Sequence, residues 1–153
     1  MRSKATRSNL QSGKAFQDQL VDDPTLEYVD NYTFEDGTVF NGQMKSKKRQ
    51  GFGVQTWPDG AKYEGYWENN KTLGEGKFFH VGGDVYEGGW ANDMANGYGN
   101  YQHANGSRYE GSWLDDKQHG FGKEQWNDGS NYRGVYANGQ KEGEGEYIWP
   151  DGN

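Results

Sequence analysis

Six glycines stand 23 residues apart without a slip, at Gly37, Gly60, Gly83, Gly106, Gly129 and Gly152. A fixed period of this length marks stacked supersecondary units, each too small to bury its own core. Before these glycines stand turn-forming residues: Asp36, Asp59, Gly82, Asn105, Asp128 and Asp151. A second glycine follows five positions later in an aromatic-x-Gly step, at Phe40/Gly42, Tyr63/Gly65, Tyr86/Gly88, Tyr109/Gly111 and Tyr132/Gly134. Two residues on comes a large side chain, Met44, Trp67, Trp90, Trp113 or Tyr136. A Gly-x-Gly then closes each unit, the pairs starting at Gly51, Gly74, Gly97, Gly120 and Gly143. These places account for 21 of the 25 glycines, so glycine is positional and not low-complexity filler.

Within a unit the pattern has period two, which means strand. In Tyr63-Glu64-Gly65-Tyr66-Trp67, the tyrosine and the indole share one face with a bare glycine between them. The Gly-x-Gly opens a second strand whose ring-bearing residues also alternate with polar ones, as in Tyr101 and His103 or Tyr147 and Trp149. Each unit therefore reads as a hairpin, with a polar loop such as residues 68–73 between its strands. Tyr32, Phe34 and Gly37 match the second strand of a missing earlier unit. The expected fold is all-β, an open, elongated antiparallel meander of 23-residue hairpins with about 11 strands, roughly 50 Å long at about 4.8 Å per strand. It divides into an N-terminal arm, 1–27, and an array, 28–153, made of a half repeat at 28–37 and units at 38–60, 61–83, 84–106, 107–129 and 130–152.

Composition says what must fill the interior. Leu, Ile, Val and Phe number 5, 1, 7 and 7, which with a net charge of -7 would ordinarily argue for disorder. The substitutes are 6 Trp, 11 Tyr and 7 Phe, packed on backbone that glycine lets approach closely. Excess acid disfavours nucleic acid and anionic lipid as partners. No apolar run is long enough for a membrane span, no secretory signal is visible, and zero cysteines exclude disulfides and thiol chemistry. The glycosylation patterns at Asn31, Asn70 and Asn105 are then best explained by chance.

The steps Tyr63-Glu64-Gly65-Tyr66-Trp67 with Gly74-Glu75-Gly76, and Tyr109-Glu110-Gly111-Ser112-Trp113 with His119-Gly120-Phe121-Gly122, resemble the MORN repeat (membrane occupation and recognition nexus). The resemblance covers residues 32–152 in five copies. The end copies depart from it, with Asn41 and Met44 in the first and Arg133 and Tyr136 in the fifth, as capping units would. It implies a place in cytoskeletal assemblies, including axonemal structures such as radial spokes, at membrane junctions, or as a module attached to a lipid kinase or methyltransferase. Nearly all of the chain being repeats, it looks most like the small structural members, which implies a cytoplasmic, cytoskeletal and ciliary location.

No catalytic constellation emerges. Glu64, Glu87 and Glu110 recur about 10 Å apart, too far to act as a pair, and His80 and His103 occupy a ring position at the same spacing, too far for one zinc. No enzyme activity, cofactor or metal is expected. The candidate partner-binding groove is the pair of columns Tyr63, Tyr86, Tyr109, Tyr132 and Trp67, Trp90, Trp113, Tyr136, with Gly42, Gly65, Gly88, Gly111 and Gly134 as structural spacers. Lys45, Lys47, Lys48 and Arg49 form a dense basic cluster that could meet lipid or an acidic protein. The arm carries Arg2, Lys4, Arg7 and Lys14 before its first acid, and reads as extended or disordered unless docked. The expected role is a non-catalytic scaffold binding proteins in a multi-subunit assembly, with homodimer or edge-to-edge pairing open. The alternatives are a phosphoinositide-binding adaptor, the targeting module of a longer enzyme, and a carbohydrate or quaternary-ammonium module.

Overall fold

The structure, a computed structural model, describes residues 14–151. Eleven strands form one antiparallel sheet in sequence order, so the meander expected from the repeats is present. They are β1 (Glu27–Thr33), β2 (Val39–Lys45), β3 (Lys48–Thr56), β4 (Lys62–Glu68), β5 (Lys71–Phe79), β6 (Val85–Ala91), β7 (Met94–Gln102), β8 (Arg108–Leu114), β9 (Lys117–Gln125), β10 (Asn131–Ala137) and β11 (Gln140–Ile148). A six-residue helix, α1 (Lys14–Gln19), precedes them.

The hairpin tips are tighter than the sequence suggests. Instead of a six-residue loop, only two residues separate β4 from β5, Asn69 and Asn70, with φ of 49° and 70°. Ser46-Lys47, Asn92-Asp93 and Asp115-Asp116 repeat this geometry. Two successive left-handed residues make the turn whose twist matches that of paired strands, and Asn and Asp tolerate it. The second strand thus begins three residues before the Gly-x-Gly, and the surplus is absorbed by a bulge: Gly65 pairs with Gly76 but Trp67 with Thr72. At that bulge Gly74 adopts φ +81°, which explains the first glycine of the motif. The opposite turns close through a backbone bond such as Gly60 N–H to Trp57 O at 2.9 Å, while Asp59 Oδ1 accepts from the Ala61 N–H at 3.0 Å.

Strand alternation gives the sheet two unlike faces. On one, which we call the ring face, Tyr63, Gly65 and Trp67 lie beside Gln55, Gly53 and Gly51 of β3 and beside Phe78 and Gly76 of β5. Each tyrosine ring lies across a cross-strand pair of glycines. A methyl on Gly65 would sit 2.5 Å from the Tyr63 hydroxyl and 2.6 Å from Gly76 Cα, so no side chain fits there. Successive rings meet edge to face: Tyr63 touches Trp67 and Trp90 at 5.2 Å, and Tyr86 touches Trp90 and Trp113 at 5.3 Å. Burying a ring of about 200 Å² contributes about 5 kcal/mol before entropy is counted, and each edge-to-face contact adds roughly 1 kcal/mol. This ladder supplies the core that the missing aliphatic residues would have built.

The far face is covered at its N-terminal end by the arm. Phe16 is buried against Tyr28 and Phe52, at ring distances of 6.0 and 5.3 Å, and Leu20 and Tyr66 pack on the same cluster. The Tyr66 hydroxyl lies 2.7 Å from Gln19 Oε1, and Gln43 bonds both the N–H and the carbonyl of Val21, at 2.9 and 2.8 Å. Residues 14–26 are therefore a short helix and mostly non-regular chain seated on the array, so the surface on which this segment docks is the chain's own sheet. Phe16 and Leu20, one helical turn apart, find Phe52, Val54 and Tyr66 waiting on the sheet. Arg2, Lys4 and Arg7 lie outside the described residues.

Candidate protein-binding face

Of the eight side chains expected to line a groove, six are core. Tyr63, Tyr86, Tyr109 and Tyr132 are at most 3% exposed, and Trp67 and Tyr136 are 5% and 2% exposed. The cause is reach. A tyrosine lying over two glycines extends its hydroxyl to the carbonyl three residues on, as Tyr86 does to Gly89 at 2.9 Å and Tyr109 to Ser112 at 2.8 Å, beneath the indoles of its own and the next unit. Burial pushes the Tyr109 hydroxyl up to about 12, and raises those of Tyr63, Tyr86 and Tyr136 well above the ordinary phenol value. These hydroxyls are structural donors, not acids or bases at neutral pH.

Trp90 and Trp113 remain half-buried, so part of each ring is open to solvent. Each is pinned by its indole N–H, which donates to the carbonyl of Gly76 at 3.1 Å or of Gly99 at 3.3 Å. Phe78 and Tyr101 lean against them at 6.1 Å, and together they wall a cavity of about 350 Å³ with Ala95 among its lining residues. Asp93 and Asp116, from the tips of the β6–β7 and β8–β9 hairpins, add carboxylates. Asp116 Oδ1 accepts the Ala95 N–H at 2.7 Å and Asp93 Oδ1 the Thr72 N–H at 2.9 Å. The sequence shows every one of these residues in its 23-residue column, but not that the columns converge here.

His80 and His103 flank Tyr101, at ring distances of 5.7 and 4.8 Å, and belong to this aromatic surface. Asp84 accepts from the Tyr101 hydroxyl at 2.6 Å and from the Ala104 N–H at 2.8 Å, bonds that lower its pKa. Desolvation first, and that bond second, push Tyr101 up to about 12. Among the described residues no group of three or more His, Cys, Asp or Glu side chains could hold a metal ion.

The basic cluster does not act as a unit. Lys45, Lys47 and Lys48 are exposed at the β2–β3 tip. Arg49 instead turns onto the ring face, its guanidinium 5.1 Å from the Phe34 ring centroid and 4.8 Å from that of Trp67. Its Nε donates to Asn70 Oδ1 at 3.0 Å, and a terminal nitrogen donates to Gln55 Oε1. Stacking and hydrogen bonding offset the desolvation of this half-buried charge. Gly42, Gly65, Gly88, Gly111 and Gly134 all stand where an added methyl would meet a cross-strand Cα or the ring above it.

The hairpins, the glycine-backed ring ladder and the open sheet define a non-globular β-repeat array. The chain belongs to the MORN-repeat family, whose model matches residues 40–62, 63–85, 86–108, 109–131 and 132–153. That membership suggests a protein-interaction or scaffold role. No curated protein matches the chain. Among solved structures, the TCP10 domain of Danio rerio CPAP aligns with 78% of this chain at 17% identity and a TM-score of 0.30, a superposition too loose to carry a conclusion. The alignment spans 61% of that chain, less than two thirds of its length.

Proposed function

We propose that the protein is a non-catalytic scaffold that binds other proteins through the ring face of its array, within a cytoskeletal or ciliary assembly of the radial-spoke kind. The observation that carries the binding reading is that Trp90 and Trp113 stay only partly buried above tyrosines that are fully sealed. Partly open indole above a fixed aromatic floor is what recurs at protein-binding centres, because it offers large contact area at little entropic cost. The ciliary setting rests on family resemblance alone. A lipid-binding role loses support because Arg49 is engaged within the fold, leaving three exposed lysines at one tip of an acidic array.

The test is selection of displayed peptides on the immobilised full chain, followed by binding to a Trp90→Ser/Trp113→Ser variant. Selected peptides should bind the variant at least about tenfold more weakly. Equal binding to both would remove the ring face as the docking surface.

A further inference from the structure

The repeat contains its own template for a ligand. Positions 49, 72, 95, 118 and 141 form one column with the 23-residue spacing, holding Arg49, Thr72, Ala95, Gln118 and Lys141. At both ends of the column the chain lays a cation on its own rings. Arg49 covers Phe34 and Trp67, and Lys141 lies 5.2 Å from Trp126, 5.1 Å from Tyr132 and 5.8 Å from Tyr147. Thr72 is buried and Gln118 half-buried, and each is polar. Only Ala95 ends at Cβ, and beside it lies the cavity of about 350 Å³.

The residues around Arg49 have counterparts around Ala95 at the repeat spacing, one of them identical and the rest changed in type. Two periods on from Trp67, Phe34 and Asn70 stand Trp113, His80 and Asp116, and all three line the cavity. Asn70 Oδ1 takes both the Arg49 backbone N–H, at 2.8 Å, and its Nε, at 3.0 Å. Asp116 Oδ1 takes the Ala95 N–H in the same way, with a full negative charge in place of an amide. Asp93 adds a second carboxylate to the lining. The site thus combines aromatic walls with two carboxylates, while Tyr101 stands where Gln55 meets the Arg49 guanidinium.

We propose that this cavity is a socket for an arginine side chain contributed by a partner protein. The inference rests on the scaffold reading above and names the chemistry of its partner. Guanidinium is selected because the corresponding place at the start of the array holds one, its plane over the indole of Trp67 while its Nε–H meets the side-chain oxygen of Asn70, and Trp113 and Asp116 offer the same two contacts here. Asp116 makes that bond charge-assisted, and the net charge of -7 draws a basic segment toward the array.

The experiment is titration of the ¹⁵N-labelled full chain with N-acetyl-arginine amide at low salt, following the indole N–H signals of Trp90 and Trp113. Saturable shifts at these two indoles, with Trp149 unmoved, are the expected result. The uncharged isostere N-acetyl-citrulline amide should bind at least about tenfold more weakly, the loss of a stacked, paired charge. Ala95→Arg, which fills the socket from within as Arg49 does, should abolish the response and keep the rest of the spectrum. Asp116→Asn, which restores the residue type found at Asn70 and keeps the Ala95 bond, should weaken arginine about threefold or more and leave citrulline unchanged. Equal binding of citrulline, a persisting response in a folded Ala95→Arg chain, or no saturable shift up to the solubility limit overturns the proposal. So does tighter binding of N-acetyl-trimethyllysine amide, which would reassign the cage to methylammonium. If peptides selected on the ring face need Trp90 and Trp113 but no arginine, the socket fails and the scaffold stands.

Discussion

A tyrosine lying across two glycines is the joint on which every unit of this molecule turns. The glycines announce themselves in the sequence by their spacing, and the rule that strand neighbours alternate faces puts ring and bare backbone together. What the residue pattern could not say is that the ring lies down instead of standing out, which moves six expected contact residues into the core. Gly76→Ala tests this geometry, because the new methyl would sit 2.5 Å from Cζ of the Tyr63 ring and displace it. The expected cost is about 3 kcal/mol, read as a lower urea midpoint with an unchanged slope. Gly82→Ala meets nothing within 4 Å and should stay within about 0.5 kcal/mol of the parent. Matching midpoints for the two variants would show that the ring does not rest on the glycines. Arg49 carries the complementary lesson: as sequence it is one of four basic residues, yet its partners Asn70 and Trp67 lie in the next hairpin, so its role is invisible until the strands pair.

Among the elements, the hairpins are the most legible and the arm is the least. Period-two alternation and turn residues fix where strands run, but Asn-Asn or Asp-Asp at a tip permits both a long loop and a two-residue turn, and the twist of the sheet selects the turn. A six-residue helix has no stability of its own, so α1 leaves no mark in a polar N-terminal stretch beyond the Phe16 and Leu20 spacing. Phe16 is 2% exposed and should hold the arm down almost alone. Phe16→Ala is expected to lower stability by about 3 kcal/mol and to release residues 17–26 to the hydrogen-exchange rates of unfolded chain, while β8–β11 keep their protection. Retained protection in that segment would mean that the hydrogen bonds of Gln43 and Tyr66, not the buried ring, secure it.

At the scale of the whole molecule, a single open sheet must keep its borders from pairing indiscriminately. On β11, which among the described residues pairs only with β10, Glu142, Glu144 and Glu146 are exposed, so a second copy laid alongside would bring carboxylates together. Replacing all three with Thr should produce concentration-dependent association in sedimentation velocity, against a parent that stays monomeric; equal sedimentation of the two would show that charge does not guard this edge. The sequence by itself determined the period, the strand count and the meander order, because each is written locally and again in every unit, where a one-residue slip would flip ring and glycine to opposite faces. Tertiary structure decided which rings are sealed, where the arm lies and which side chains gather around Ala95. Those outcomes depend on contacts between residues 21 to 47 positions apart, such as Arg49 with Asn70 and Gln19 with Tyr66, and come into being only when neighbouring hairpins stack.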